Sequence, residues 1–344
     1  MTNRRVVVTG LGAVSPLAHG VEESWQKVKD GISGVEVVTQ YDVDVIELNI
    51  VGEVKSFDAV SLFGARDARR MDRVQQFALY AATQAMEDSG LKITDSNCYD
   101  IGCVMGTGIG SLASIQSAHR GYLERGQRGV SPLAIPQILS DSVSARISIS
   151  FGLCGPNYNI TSACATGNNC IGDAADLIRL GRAKAVLTGG SEAAILEMAM
   201  SGFHNMKATT RWEGDPTQAS RPFDAHRTGF VPAEGAAVLL IEELDHALAR
   251  GATIYAEITG YGHTSDAYHI TAPREDAQGA TIAMKRALLD ANLQPGDLCY
   301  LNAHGTGTVL NDVSETRAIK QALGEHAYVL PISSTKSMTG HMLG

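Results

Sequence analysis

The stretch that decides how this chain is read is SACATGNNCIGDAADLIRLGRA at residues 162–183, continued by AVLTGGSEA at 185–193. The first part reads as a helix of small residues opened by a cysteine turn, and the second as a short buried strand ended by glycines. Working outward, VVVTGLGAVSP (6–16) and IGCVMGTGIG (101–110) have the same form, β-branched or apolar runs without alternation, which suits strands covered on both faces. Between them RVQQFALYAATQAMEDSG (73–90) puts Phe77, Ala81, Ala85 and Met86 at helix spacing with Gly90 as its stop. GAAVLLIEEL (235–244) adds a later strand. The layout is an alternating α/β one.

A similar order restarts near residue 254: strand (254–267), helix (278–293), strand (298–308), helix (311–324), then strand and turn (329–344). Two halves of one architecture are expected, 1–250 and 251–344, with Gly-rich turns at strand ends where ligands of open α/β sheets sit. The first half continues past its cysteine turn into a helix and further strands, whereas the second stops at STKSMTGHMLG. The second half is therefore expected to be truncated at its C-terminus, as a fragment or as an incomplete sheet, and if 344 is the true end His341 is expected on a frayed terminus.

Of the 344 residues, 44% are hydrophobic and 19% charged, enough for a large core, and no period points to coiled coil or low complexity. A net charge of −9 disfavours nucleic acid and anionic membranes as partners. The six cysteines, at 98, 103, 154, 164, 170 and 299, lack the spacing of a metal site, and most are expected to be free, buried thiols in a reducing cytoplasm. The N-terminus enters its first strand without an apolar leader, and no stretch approaches the roughly 20 apolar residues of a membrane helix.

Three turns carry the candidate chemistry. Cys164 stands where a loop meets a helix N-terminus, which favours a thiolate and offers N–H groups to an oxyanion, although a cysteine between alanines also suits a core position. His304, in NAHGTGT (302–308), follows an apolar strand and is suited to proton transfer or oxyanion binding; a turn histidine satisfied by backbone would look the same. The last turn, SSTKSMTGH (333–341), carries Lys336 and His341.

Together these turns resemble the Cys-His-His centre of the β-ketoacyl-acyl-carrier-protein synthases of type II. The resemblance extends to RRVVVTGLGAVSP (4–16), ARRMDRVQQFALYAA (68–82), GTGIGS (106–111), RPFD (221–224), SDAYHIT (265–271) and LNDVSET (310–316). It implies a thiolase-like fold, duplicated βαβαβ halves in a layered α-β-α-β-α core, and a homodimer without cofactor or metal. It further implies that Cys164 accepts the acyl chain from acyl carrier protein, and that His304 and His341 assist as malonyl carrier protein loses carbon dioxide. Lys336 and Glu315 become a supporting ion pair, Thr306 and Thr308 hold the pantetheine arm, and Ile109 gates the acyl pocket. Arg66, Arg69 and Arg70, with Arg73 one turn on and with Arg128 and Lys207 extending them, become a docking patch for the acidic carrier, unless they are simply a solvated face.

A thiolase shares this nucleophile but uses a second cysteine as base, and none lies in a matching turn. A non-catalytic partner subunit of the chain-length-factor kind lacks the active cysteine, and an inactive carrier-binding fragment rests only on the missing C-terminal segment.

Overall fold

Val6, Val7 and Val8 open strand β1 (Val6–Val14) and are almost wholly buried, so the unbroken apolar run is covered on both faces. The computed structural model that shows this describes residues 4–344; residues 1–3, where part of the N-terminal reading falls, lie outside it. The remaining strands are β2 (Glu36–Val37), β3 (Ile50–Val51), β4 (Ile101–Gly106), β5 (Asn157–Ile160), β6 (Ala185–Glu192), β7 (Gly235–Glu243), β8 (Ala256–Glu257), β9 (Leu301–Asn302) and β10 (Ile332–Ser333). The main sheet has the order β5-β4-β6-β7-β1-β8. In it β4 is parallel to β5 and β6, while β7 is antiparallel to both β6 and β1.

One face of this sheet carries the helix Arg73–Ser89. Asp72 and Gln75 form a capping box at its start, and Gly90 ends it in the left-handed conformation. Its Ala81 and Ala85 carbonyls lie so close to β1 that a Cβ on Gly12 or Gly10 would stand 1.9 or 2.2 Å from them. The small residues of the two elements are thus one fit.

The opposite face carries the helix Thr166–Arg179, whose Cys170, Ala174 and Ile178 pack with Val6, Val104, Val186 and Ile241. Its outer side meets the second half of the chain. A Cβ on Gly172 would lie 2.4 Å from the Tyr261 ring, and the Tyr261 hydroxyl donates to Asn169 Oδ1 at 2.7 Å. Beyond it, the helices Gln278–Asp290 and Val309–Leu323 pack with the parallel pair β9–β10 around Ile319, Leu323 and Leu330. The first α-β-α layers are therefore fully developed, and the second sheet is represented by β9 and β10.

Two expectations change. The strand foreseen over 254–267 shrinks to β8, which pairs with β1 in the first sheet. The residues after it run against a helix instead of a ladder, since Cβ atoms on Gly260 and Gly262 would meet the Ala287 and Ala283 carbonyls at 2.3 and 2.2 Å. Of the six free cysteines only Cys103 and Cys170 are buried; Cys98 is half-buried, and Cys154, Cys164 and Cys299 are exposed. Among the described residues no helix is long and apolar enough to cross a membrane.

Arg73 points inward and does not extend the surface cluster. It pairs with Glu234, 1% exposed, through contacts of 2.7 and 3.0 Å, and its guanidinium lies 4.5 Å from the Phe77 ring centre. Arg73→Met, which keeps the stem but strands the carboxylate, is expected to destabilise the fold by about 3 kcal/mol in urea unfolding. A loss below about 1 kcal/mol would mean that Gln40 and the Val54 amide, which also bond Glu234, suffice to hold it.

Candidate active site

Each chemically equipped turn leaves the C-terminal end of a strand. After β5 the chain reverses through Ala163, at φ 50°, into a short 3-10 turn over Ala163–Ala165 that feeds the helix beginning at Thr166. The Ser162 amide donates to Thr166 Oγ1 at 2.9 Å, and Asn169 Nδ2 to Ser162 Oγ at 2.6 Å, so the turn that presents Cys164 is braced from within the helix.

After β9, His304 is set by Glu315, whose carboxylate accepts from the His304 and Gly305 amides at 2.6 and 2.8 Å. Ser334, on the turn after β10, bonds the carbonyls of the same two residues. His341 follows the short helix Lys336–Thr339 and Gly340, at φ 69°. It is not frayed: its amide donates to the Val231 carbonyl at 2.7 Å, and its carbonyl accepts from Ala233 at 2.9 Å.

These turns converge. His341 Nε2 lies 3.0 Å from Cys164 Sγ, and the two imidazoles meet edge to face with centroids 5.3 Å apart. Phe230 packs on His341 from another side at 5.5 Å. One donor atom from each of Cys164, His304 and His341 falls within 4.8 Å of the others, a spacing that would also suit a metal ion. The tautomer argues against that use. The Leu343 amide donates to His341 Nδ1 at 3.1 Å, so in the neutral ring the proton sits on Nε2, which then donates to the sulfur and has no free lone pair for an ion.

The electrostatics correct one expectation. Although Cys164 as a residue opens onto the surface, its sulfur is packed beside His341; the loss of water there pushes the thiol up and Glu192 adds to that, while Lys336 and the Cys164 amide pull the other way without reversing it. The resting group is a thiol, because the dehydration of the pocket outweighs the helix end. Burial, then Lys336, lowers His304 to about 4. His341 is held well below the usual imidazole range by burial, by His304 and by Lys336. Burial lowers Lys336 itself, against the pull of Glu315 and Cys164.

A cavity of about 520 Å³ opens onto this cluster, lined among others by Cys164, Asn168, Ile171, Gly190, His304 and Lys336. Glu315 makes no direct ion pair with Lys336 among the described residues; its oxygens go to backbone amides and to Asn311. Thr306 is buried with its hydroxyl 3.0 Å from that of Thr308, and Thr308 caps the helix Val309–Leu323 through the Asn311 amide. Ile109 lies exposed on the turn after β4. Arg66, Arg69, Arg70 and Arg128 are exposed too, and Arg69 and Gly129 line one groove, which brings the turn of Arg128 beside Arg69.

Glu192 was not singled out from the sequence. It is fully buried at the end of β6, and its carboxylate bonds Thr107 Oγ1 and the amides of Gly108, Ile109 and Gly344. The available signal was an acidic residue closing an otherwise uncharged strand, AVLTGGSE.

Family descriptions match almost the whole chain: "Beta-ketoacyl synthase, N-terminal domain" over residues 3–247 and "Beta-ketoacyl synthase, C-terminal domain" over residues 255–344. A Synechocystis protein named 3-oxoacyl-[acyl-carrier-protein] synthase 2 is 47% identical over all of this chain and 83% of its own length. A Staphylococcus aureus protein of the same name is 45% identical over 99% of this chain and 82% of its own. Among solved structures, a β-ketoacyl synthase from Burkholderia phymatum superposes with a TM-score of 0.89 at 34% identity, over 99% of this chain and 83% of that one. A type II polyketide ketosynthase, described in complex with its acyl-carrier protein, gives 0.91 at 33% identity with the same two coverages.

The depressed imidazoles have a measurable consequence. The unfolded chain takes up protons near pH 6.5 that folded His304 refuses down to about 4, so stability should fall as pH drops through that window. His304→Asn is expected to make the fall shallower in urea unfolding followed against pH; an unchanged slope would show that the ring is not held neutral.

Proposed function

The chain belongs to the β-ketoacyl synthase family, with the thiolase-like fold of that family, and on this premise we propose which residues carry its decarboxylating condensation. The enzyme is an acyltransferase of the 3-oxoacyl-acyl-carrier-protein synthase 2 type. Its proposed donors are acyl and malonyl carrier protein, as the names of its relatives suggest. The single observation that carries the assignment is the 3.0 Å contact between His341 Nε2 and Cys164 Sγ.

In the first half-reaction Cys164 attacks the acyl thioester. The sulfur becomes anionic as its proton leaves, the Nε2–H of His341 and the charge of Lys336 stabilise it, and the Cys164 amide receives the developing oxyanion. The released carrier thiolate takes the proton. In the second, the malonyl thioester carbonyl sits against His304 and His341 and gathers enolate charge as the carboxylate departs as carbon dioxide. The carbanion then forms the new C–C bond at the acyl carbonyl, the C–S bond to Cys164 breaks, and the departing thiolate takes a proton from solvent to restore the thiol. A neutral imidazole that donates at Nε2 suits this charge better than a second ammonium, because it stabilises the enolate without drawing the malonyl carboxylate into a static ion pair.

Glu315 acts here by fixing the His304 backbone, and Lys336 by its charge. Thr306 and Thr308 line the approach for the pantetheine arm, and Ile109 gates the acyl end. The first half of the chain, 1–250, supplies the nucleophile, and 251–344 the two imidazoles. Arg66, Arg69, Arg70 and Arg128 form the docking face for the acidic carrier, the enzyme works as a homodimer, and its place is the cytoplasm, where six free thiols persist.

Cys164→Ala is expected to abolish condensation, and acylated carrier protein to add its acyl mass to the peptide that contains Cys164; acyl mass on another cysteine, or on none, would sink the assignment. His304→Ala should still form the acyl-enzyme, seen by intact mass, while carbon dioxide release from malonyl carrier protein falls at least about a hundredfold. Reversing charge at Arg69 and Arg70 should raise the KM for carrier protein in a salt-dependent way with kcat little changed, and an unaltered KM would remove the docking face.

A further inference from the structure

We propose that Glu192 is a positioning residue for the acyl pocket: one buried carboxylate clasps the turn that carries Ile109 to the segment that carries His341. The inference rests on the reading of Ile109 as the acyl gate. Glu192 has 0% of its surface exposed, yet its backbone alone takes part in the sheet, opposite Gly235, and its carboxylate bonds only to groups outside the strands. Oε1 accepts from Thr107 Oγ1 at 3.0 Å and the Ile109 amide at 3.4 Å; Oε2 accepts from the Gly108 amide at 2.8 Å and the Gly344 amide at 3.2 Å. The two loops touch directly over this carboxylate. A Cβ on Gly344 would stand 2.3 Å from the Gly108 nitrogen, and one on Gly190 2.3 Å from the Gly344 carbonyl oxygen.

The clasp holds Ile109 exposed and off the wall of the cavity that contains Cys164. Four donors converging on two oxygens need the carboxylate, because a protonated carboxyl turns one oxygen into a donor that faces N–H groups. Burial pushes Glu192 up to about 7 against those hydrogen bonds, so the clasp loosens just below neutrality and Ile109 is then free to swing inward. The other titratable groups at this corner are Cys164, which Glu192 raises, His341 beside that sulfur, and His304 and Lys336 across the cavity. From the elements behind it, Arg73 and Glu234 pair with each other, and Asp72 caps its own helix and holds Ser114. With His304 lowered to about 4 and His341 held well below the usual imidazole range by burial, neither imidazole supplies a charge change near pH 7, where Glu192 titrates.

The sign of the stability effect separates a clasp from a structural prop. A carboxyl raised by burial favours folding only while protonated, and that contribution is lost as pH rises from about 4.5 through about 7. Glu192→Gln should therefore melt at pH 8 no lower than the native protein. In the same variant, the ratio of kcat/KM for a long acyl chain to that for a short one should fall about tenfold and lose its pH dependence. In the native enzyme that ratio should decline as pH drops through about 7; this measurement needs no variant and stands if Glu192→Gln fails to fold. A native ratio constant from about pH 6 to 8, or an equal loss for both chain lengths in the variant, overturns the proposal. Ile109→Phe distinguishes the two readings: if it shifts the ratio while Glu192→Gln does not, the clasp alone fails, and if it leaves the ratio unmoved, the gate fails.

Discussion

The contact between His341 Nε2 and Cys164 Sγ is the constraint on which the rest of the structure turns. It joins residues 177 positions apart, so the turn after β5 and the segment after β10 have to be delivered to one place by the fold between them. The proton on Nε2 is decided by a backbone amide two residues beyond the ring, which makes the local path of the chain at Leu343 part of the chemistry. The same logic governs His304, where Glu315 grips the main chain and leaves the ring free to face the reacting atoms.

Charge is distributed so that no single group dominates. Lys336 is the buried cation of the cluster, Glu315 is its nearest named counterweight, and two imidazoles are kept uncharged by dehydration and by that lysine. A cluster of this kind can receive a carboxylate and let it leave as neutral carbon dioxide. A site with a fixed ion pair would hold the carboxylate in its ground state and raise the barrier to losing it.

Much of this was readable from the residues. The unbroken run Val6–Val8 and the glycines behind it announced a doubly covered strand, and Cys164, His304 and His341 were marked by their place at strand ends. What escaped notice depended on distance in space. That Arg73 turns inward to Glu234 could not be seen from a helix pattern in which it neighbours three exposed arginines. The failure of 254–267 to continue as a strand reflects a helix packed against Gly260 and Gly262, a tertiary event without local signature. The thiol state of Cys164 was misjudged because a helix terminus is visible in sequence and dehydration is not. Glu315 was expected to face Lys336, yet two amides reach it first.

The turns holding Ile109, Cys164, His304 and Lys336 all follow the C-terminal ends of strands, in the parallel pairs β4–β5 and β9–β10. The opposite ends of these strands, where the chain enters near Asp100, Pro156, Tyr300 and Pro331, carry none of the candidate site residues. The backbone there is tied into the sheets through the Asp100, Pro156 and Pro331 carbonyls, so a label on this side belongs on an exposed side chain such as Tyr99 or Tyr300, at the far ends of these strands from the candidate site.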